Sequence, residues 1–413
     1  MSARKKLFRI AIRRYGPYER AIAKQWEAFE AIEKTGLTLD AVPYDLHPLY
    51  DALFTSNGLK RGDWDVAFLN TDWMASVHGS GQVVDLAPLM AADPPQDYPA
   101  GWVSALIEQQ VVDGVMLGQP YHDGPECLIY RTDVFNDSAL QSEHQQRHGS
   151  PLRVPRTWDE FYRTAKFLHR PEQGRYGTIF AAYPDGHNTV YDFLLQLWSR
   201  GGELIDTAGR ICFDTPEALA AMEFYRTILR DKNAVHPKCQ ELDSIQAGLR
   251  INEGEVAMMV NWFGFATLAH TDANSKARGL IDVAEIPSDT GNRPVSLNVY
   301  WLLSLASGSP HQKIAWKFMK HCLTPEMDKV TTTEGGIGCR KSTWNDPEVN
   351  RVMPFYSRME GLHKHARRIP RMKSWPKIAA VIDKLIGEVI DSPALVRELL
   401  QAAEREARKA KAE

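Results

Sequence analysis

The chain has 413 residues, of which 44% are hydrophobic and 24% charged, an ordinary globular composition that excludes a fibrous, collagen-like or wholly disordered protein. A single core stops growing near ~250–300 residues, so this length predicts two domains. The formal net charge of −3 gives no electrostatic reason to expect a nucleic-acid partner, and no apolar run approaches the ~20 residues that span a bilayer.

Met1–Lys6 is basic, like the start of a secretory signal, but Leu7–Arg14 carries Arg9, Arg13 and Arg14 and is followed by no small-residue cleavage site, so no export signal is legible. That pattern leaves two alternatives: a protein that stays in the cytoplasm, or one whose signal has been removed. Leu7–Ile12 reads as a first strand, broken by Gly16-Pro17. Tyr18–Glu33 then has helical spacing, with Ile22, Trp26, Phe29 and Ile32 on one face and Gly36 as the stop. Leu37–Pro43 is a second strand, Leu46–Asn57 a second helix, and Trp64–Leu69 a third strand apolar enough to be covered on both faces. This alternation predicts an open α/β sheet.

A second α/β run begins near Gly118. Glu126–Tyr130 reads as a strand and Thr157–Leu168 as a helix, with Thr157 and Glu160 in capping-box register. Thr178–Ala182 is a short strand, and Thr189–Trp198 an apolar helix stopped by Gly201-Gly202. Thr215–Leu229 is a helix with Pro216 in its first turn. Val256–Val260, Asp282–Ile286 and Tyr300–Leu305 are further strands. Gln312–Leu323, Trp375–Asp391 and Pro393–Lys411 are helices, the last fraying from Glu404. No repeat or low-complexity linker separates two halves.

Catalytic signatures are missing: no phosphate loop, dinucleotide fingerprint, nucleophile elbow or H-E-x-x-H occurs. His144 and His148 stand four apart beside Glu143, but the surrounding QSEHQQRHG is so polar that a solvated loop or helix end is expected rather than a metal site. His363 and His365 lie in a basic stretch that reads as a solvated face. The five cysteines (Cys127, Cys212, Cys239, Cys322 and Cys339) form no C-x-x-C; buried thiols are expected, with one disulfide as the alternative. No metal or cofactor is implied. What the sequence does offer is aromatic and polar residues together at strand ends. Asn70-Thr71-Asp72-Trp73 follows the third strand, Tyr121-His122-Asp123-Gly124 follows a Gly-Gln-Pro turn, and Asn261-Trp262-Phe263-Gly264 follows VAMMV. Open α/β sheets bind ligands outside the carboxyl ends of their strands. A pyranose suits such clusters, its C–H face on a ring and its hydroxyls on fixed polar groups.

Eight stretches then stand in one order: WDVAFLNTDWMASVHGSGQVVDL (64–86), DGVMLGQPYHDGPECLIYRTDVF (113–135), PRTWDEFYRTAKFL (155–168), LWSRGGELIDTAGRICFDTPEALAAMEFY (197–225), INEGEVAMMVNWFG (251–264), AWKFMKHCL (315–323), EGGIGCRKS (334–342) and RIPRMKSWPKIAAVI (368–382). Together they resemble the family 1 extracellular solute-binding proteins of ABC importers, the group that includes maltose-binding proteins, over roughly residues 7–400. The resemblance implies an α/β, two-lobed periplasmic-binding-protein-like fold of type II, each lobe a mixed sheet flanked by helices. The lobes would comprise 1–118 with 281–323, and 123–270 with 335–413, joined by crossings at 119–122, 271–280 and 324–334. Ligand capture in a cleft with hinge closure, a periplasmic location, a monomeric state and no catalysis are implied. The implied partners are a small solute (sugar, sugar acid or sulfonated sugar) and permease subunits with a cytoplasmic ATPase.

Carried over by position, the resemblance implies a ligand set. In the first lobe it takes Arg14 and Tyr15 at the end of the first strand, Asn70, Asp72 and Trp73, and His122 and Asp123 at the first crossing. In the second it takes Tyr183, Asp185 and Asn188 in a loop, Trp262 after the G-E-V-A-M strand and Trp375 on the late helix. Gly336 and Arg340 come from the E-G-G-I-G-C-R turn. The chain departs from the family's Gly-Gly turn at Asn298-Val299-Tyr300-Trp301, where Asn298 becomes a further ligand candidate. Arg14, Arg340 and His122 together raise the prospect of an anionic ligand. Two alternatives stand beside transport: a cytoplasmic or membrane-associated sensor, and an enzyme using Asp72, His122 and Asp123 for acid–base work.

Overall fold

The computed structural model describes residues 6–412; the basic opening Met1–Lys5 lies outside the described residues. Among the described residues there are eight strands of four residues or more: β1 (Leu7–Arg13), β2 (Thr38–Tyr44), β3 (Val66–Asn70), β4 (Gln119–His122), β5 (Glu126–Arg131), β6 (Met258–Trp262), β7 (Ile281–Ala284) and β8 (Trp301–Leu305). The chain forms two compact units. One runs to Gly124 and takes up Asn298–Lys364; the other comprises Pro125–Leu297 and the chain from His365 onward.

The first unit is built on a five-stranded sheet in the order β2-β1-β3-β8-β4. β1, β2 and β3 are parallel, and β8 runs antiparallel to both β3 and β4. β4 therefore points the same way as β1–β3. β3 is buried at every position, as its unbroken apolar run predicts. The helix Gly16–Glu33 packs its buried Tyr18, Ile22, Trp26 and Phe29 toward the sheet, and Trp26 stacks on Phe8 of β1 at 4.6 Å. Ile32 does not join that stripe and is 70% exposed. At 100° per residue it sits about 80° round the helix from Ile22. The helix stops at Glu33, where Lys34 takes the left-handed conformation (φ 49°), two residues before the expected Gly36. The helix predicted over 46–57 is regular through Tyr50 and continues in wider turns through Thr55, with Ser56 N–H donating to the Asp51 carbonyl.

The second unit holds β6-β5-β7, antiparallel throughout. Parallel bridges of Tyr176 with Val256 and of Thr178 with Val235 extend it into a mixed sheet. The strand expected at Thr178–Ala182 is reduced to that bridge. Helices Trp158–Leu168, Asn188–Trp198, Pro216–Arg230, Trp375–Asp391 and Val396–Ala412 surround the sheet. The predicted capping box is present: Glu160 N–H donates to Thr157 Oγ1, and the Glu160 carboxylate accepts from Thr157 N–H.

The division of the chain differs from the expected boundaries in three stretches: 119–124 lies in the first unit, 271–297 in the second and 324–364 in the first. β7 pairs with β5, which places 281–297 in the second unit. Residues 324–364 belong to the first unit, because the turn near Ile337 is bonded to the end of β4. The chain passes between units at 124–125, 297–298 and 364–365. Sequence reading also treated Gln119-Pro120 as a turn, whereas it opens β4, and left helices Ser244–Asn252, Gly264–Thr271 and Pro325–Thr333 unassigned. All five cysteines are free thiols; four are buried and Cys212 is half-buried. Burial pushes the Cys239 thiol up to about 12.

Thr157→Ala removes a side-chain acceptor from the first turn of Trp158–Leu168. It is expected to lower stability by about 1 kcal/mol, read as a lower urea midpoint with unchanged slope.

Candidate functional site

Four parallel strands and one antiparallel strand put five chain segments at one edge of the first unit's sheet. β1 ends there at Arg13, β2 at Tyr44, β3 at Asn70 and β4 at His122, while β8 begins there at Trp301. Trp301 is in register with Asn70 on one side and with His122 on the other. This is the carboxyl edge at which open α/β sheets take ligands.

Asn70 is buried, and its side chain accepts from Asp72 N–H at 2.9 Å, turning the half-buried Asp72 over the strand end. Tyr15, the residue before the first helix, packs edge-on against Tyr18, and its hydroxyl lies 3.5 Å from the Gly335 carbonyl oxygen. His122 is buried. Its Nδ1 accepts from Ile337 N–H at 2.9 Å, so the neutral ring carries its proton on Nε2. Burial pulls His122 down to about 3. Asp123 is 1% exposed. Its N–H donates to the Ile337 carbonyl, its Oδ2 lies 2.6 Å from His363 Nε2, and its Oδ1 has no partner among the described residues. Asn298, also 1% exposed, has a side-chain oxygen and nitrogen that both lack partners among the described residues.

The E-G-G-I-G-C-R turn holds this edge together. Asp328 accepts from Cys339 N–H (2.7 Å), Arg340 N–H (3.2 Å) and Thr343 Oγ1 (2.5 Å), and Thr332 Oγ1 accepts from Gly338 N–H. Burial raises the Asp328 carboxyl to about 6. Gly336 sits against the same residues: a Cβ there would lie 2.9 Å from the Thr331 carbonyl oxygen and 3.6 Å from His122 Nδ1.

Three expected ligand groups of this unit are engaged elsewhere. Arg340 is 1% exposed. Its guanidinium donates to the Gln96 and Leu323 carbonyls and to Asp97 Oδ2 (2.9 Å), and it lies over the Trp102 ring at 4.4 Å. Arg14 is exposed, donates to the Pro43 carbonyl and pairs with Asp45 at 3.4 Å. Trp73 is core, edge-on to Tyr50, Phe54 and Trp301. Trp301, which the sequence marked only as bulk in a departing turn, is the half-buried ring at the strand end. Its position between Asn70 and His122 follows from the antiparallel register, which no local pattern announces.

In the second unit Trp262 ends β6, is half-buried and lies edge-on to Tyr191 at 5.7 Å. Asp185 is turned inward on its own loop. It accepts from His187 N–H, Asn188 N–H and Asn188 Nδ2, so Asp185 and Asn188 secure the start of helix Asn188–Trp198. Tyr183 is 48% exposed in the same loop. Trp375 is buried at the start of its helix. Glu126, in register with Trp262, is a buried carboxyl near Asp192, whose Oδ2 accepts from Tyr225 Oη at 2.6 Å. Burial, reinforced by Asp192, pushes Glu126 well above the carboxylate range, and burial raises Asp192 to about 7.

The profile of the bacterial extracellular solute-binding proteins matches residues 14–329. The chain belongs to that family. It is a solute-binding protein, the substrate-binding component of an importer, and the family is not an enzyme class. A probable ABC transporter-binding protein of Deinococcus radiodurans is 22% identical over 339 residues, 80% of this chain and 76% of its own length. Maltose-bound MalE3 of T. maritima superposes with a TM-score of 0.84 at 22% identity, covering 97% of this chain and 99% of that one. A solute-binding protein of Agrobacterium radiobacter K84 in complex with ribitol gives 0.84 at 21%, covering 98% of each chain. These likenesses show the fold, that of the two-lobed maltose-binding type.

Two pH effects follow. The folded state binds a proton on His122 less readily than the unfolded state does. Its contribution is therefore full above the unfolded value near 6.5 and is lost as pH falls toward 3, by up to ~1.4 kcal/mol per pH unit. Glu126 acts oppositely: the folded state keeps its proton to higher pH, so wild-type stability declines as pH rises above the unfolded value of 4.5. Glu126→Gln is expected to leave the urea midpoint unchanged at pH 4 and to raise it increasingly between pH 5 and 8. Arg340→Met leaves Asp97 and two carbonyls without their donor and is expected to cost roughly 3 kcal/mol, measured by urea unfolding.

Proposed function

We propose that the protein captures a neutral carbohydrate or polyol through aromatic faces and hydroxyl-accepting polar groups. It then delivers the solute in the periplasm to a membrane permease pair with a cytoplasmic ATPase. The observation that carries this reading is the charge at the first unit's sheet edge. Arg14 and Arg340, the cations that favoured a sugar acid or a sulfonated sugar, are held by Asp45 and Asp97 and by backbone carbonyls. Asp123 stands at the same edge as Trp301, Asn70 and the neutral His122. Such an edge accepts O–H donors and offers a ring to C–H faces, while an added anion would meet like charge. In the second unit, Trp262 with Tyr191 offers a second aromatic face. The ligands bound by the two solved relatives, maltose and ribitol, are both neutral polyhydroxy compounds.

The test is thermal denaturation against ribitol, D-mannitol, D-tagatose and maltose, with gluconate and a sulfonated sugar in parallel, followed by titration calorimetry. A bound neutral solute stabilises by RT ln(1 + [L]/Kd), about 2.7 kcal/mol at a hundredfold excess over Kd, which moves Tm by a few degrees for a chain of this size. Trp262→Ala and Trp301→Ala are each expected to weaken binding by about tenfold or more. Stabilisation by the anionic compounds alone would overturn the neutral-ligand reading.

A further inference from the structure

His144 and His148 stand four apart on the helix Ser138–His148 of the second unit. Their polar surroundings read as a solvated helix end, and the segment is one: His148 is exposed and His144 half-buried. The two imidazoles are nevertheless ordered. Side chains four apart share one helix face, and these ring centres lie 4.7 Å apart with 45° between the planes. Both rings stand nearly perpendicular to that of Phe167, at 4.9 Å and 5.9 Å, and Phe167 is itself buried.

The end of the helix decides which nitrogen is offered. Gly149 takes the left-handed conformation (φ 70°) and donates its N–H to the Gln145 carbonyl. The turn brings the Ser150 carbonyl oxygen to 2.7 Å from His144 Nδ1. A carbonyl oxygen only accepts, so Nδ1 carries the proton and the lone pair is on Nε2. A histidine that donates one ring N–H to a backbone carbonyl is fixed in tautomer and ring orientation, the arrangement that accompanies metal ligation. Neither His144 Nε2 nor the His148 ring has a hydrogen-bond partner among the described residues.

The spacing fits a shared ion. Two imidazoles on one metal, with metal–nitrogen bonds near 2.0–2.1 Å and about 90–110° between them, have ring centres roughly 4.5–5.3 Å apart. The observed 4.7 Å falls inside that range. Two cations belong to the same cluster. Arg147 and Arg170 both bond Glu143 at 2.9 Å, and Arg170 also donates to the Phe167 and His169 carbonyls, so both guanidiniums are already engaged. The pair also lies toward the carboxyl end of an 11-residue helix, where the partial negative charge favours a cation. Among the described residues no group of three or more His, Cys, Asp or Glu is placed to hold a metal, so an ion here would keep water in its remaining positions. A closed structural zinc site needs four protein ligands, and Mg²⁺ and Ca²⁺ take oxygen ligands. An imidazole pair suits the late first-row divalent ions, Cu²⁺ most of all.

We propose that His144 Nε2 and the His148 imidazole form a two-ligand surface site for a late first-row divalent metal ion, binding Cu²⁺ more tightly than Ni²⁺. The site does not depend on the solute reading. β5 starts at Glu126, opposite Trp262, and ends at Arg131, and the helix that carries the histidines follows that far end of the strand.

The experiment is calorimetric titration of the full chain with NiCl₂ and with CuCl₂ in a buffer that does not bind metal. The proteins are the wild type, His144→Ala, His148→Ala and the double variant Gln145→His/His148→Ala. The double variant keeps the chain's 13 histidines but puts the two imidazoles on adjacent residues, which do not face each other. The wild type is expected to take up one ion per chain at this site, Cu²⁺ more tightly than Ni²⁺. Each variant is expected to weaken that binding by about tenfold or more, because the second ligand no longer acts within the same chelate. Wild-type affinity retained in either alanine variant, or in the respaced one, puts the ion elsewhere and overturns the proposal. Absence of wild-type binding at millimolar metal overturns it too. If a variant fails to fold, the electron paramagnetic resonance spectrum of the wild type with one equivalent of Cu²⁺ carries the decision. Superhyperfine splitting from two imidazole nitrogens supports the site, and splitting from one or none overturns it.

Discussion

The insertion of β8 antiparallel between β3 and β4 is the constraint on which the rest of the first unit depends. A parallel run alone would bring only the carboxyl ends of β1–β3 to that edge of the sheet. Because β8 enters from that edge, the residues that precede it arrive where β3 and β4 finish, and Trp301 comes to lie between Asn70 and His122. The cost is topological. Residues 229 and 187 positions apart in the chain must meet, as when Tyr300 N–H donates to Thr71 Oγ1 and Ser304 Oγ donates to the Leu117 carbonyl. These cross-strand bonds satisfy polar groups that burial would otherwise leave unmade.

A second contrast separates scaffold from site. Two buried carboxylates that serve the scaffold have several donors each. Asp65 accepts from Arg9 N–H and Ser309 Oγ and contacts His311 Nδ1, and Asp328 takes two backbone N–H groups and a hydroxyl. Arg340 is spread over two carbonyls, a carboxylate and an indole face. Asp123 and Asn298 are equally buried and are not saturated. Burial alone therefore does not tell how far a polar side chain is satisfied; its partners do.

Much of the fold was legible because it rests on local pattern. The apolar run of β3, the capping box at Thr157 and the stripe of Ile22, Trp26 and Phe29 are written in neighbouring residues, and ordered motifs carried the family. β4 was missed because Pro120 reads as a breaker, yet proline is tolerated on an edge strand such as β4, which pairs only with β8. The positions of Asn70, Asp72, His122 and Asp123 at the strand ends were legible from the sequence. Arg340 was misread because its neighbours Gln96, Asp97 and Leu323 are distant in the chain. His363 was misread because the charged residues around it set its local character, while its burial comes from Trp344 and Asp123. Long-range partnership, which decides whether a polar side chain is used up or left open, has no local signature.

On the proposed reading, that partnership also sets the sign of the charge a ligand meets. A guanidinium already bonded to a carboxylate and two carbonyls has little left to give an anion, and releasing it would strand Asp97 and two carbonyl groups. His122 cannot substitute, because its Nδ1 is committed to Ile337 and its burial disfavours a second proton. On that reading an anion at this edge would sit beside the Asp123 carboxylate in a medium of low dielectric, where like-charge repulsion is far stronger than in water. A neutral polyhydroxy solute meets the same carboxylate as an acceptor and gains from the same low dielectric, since each O–H donated to a fixed oxygen is strengthened there. The acid that would repel one class of solute is the group that selects the other.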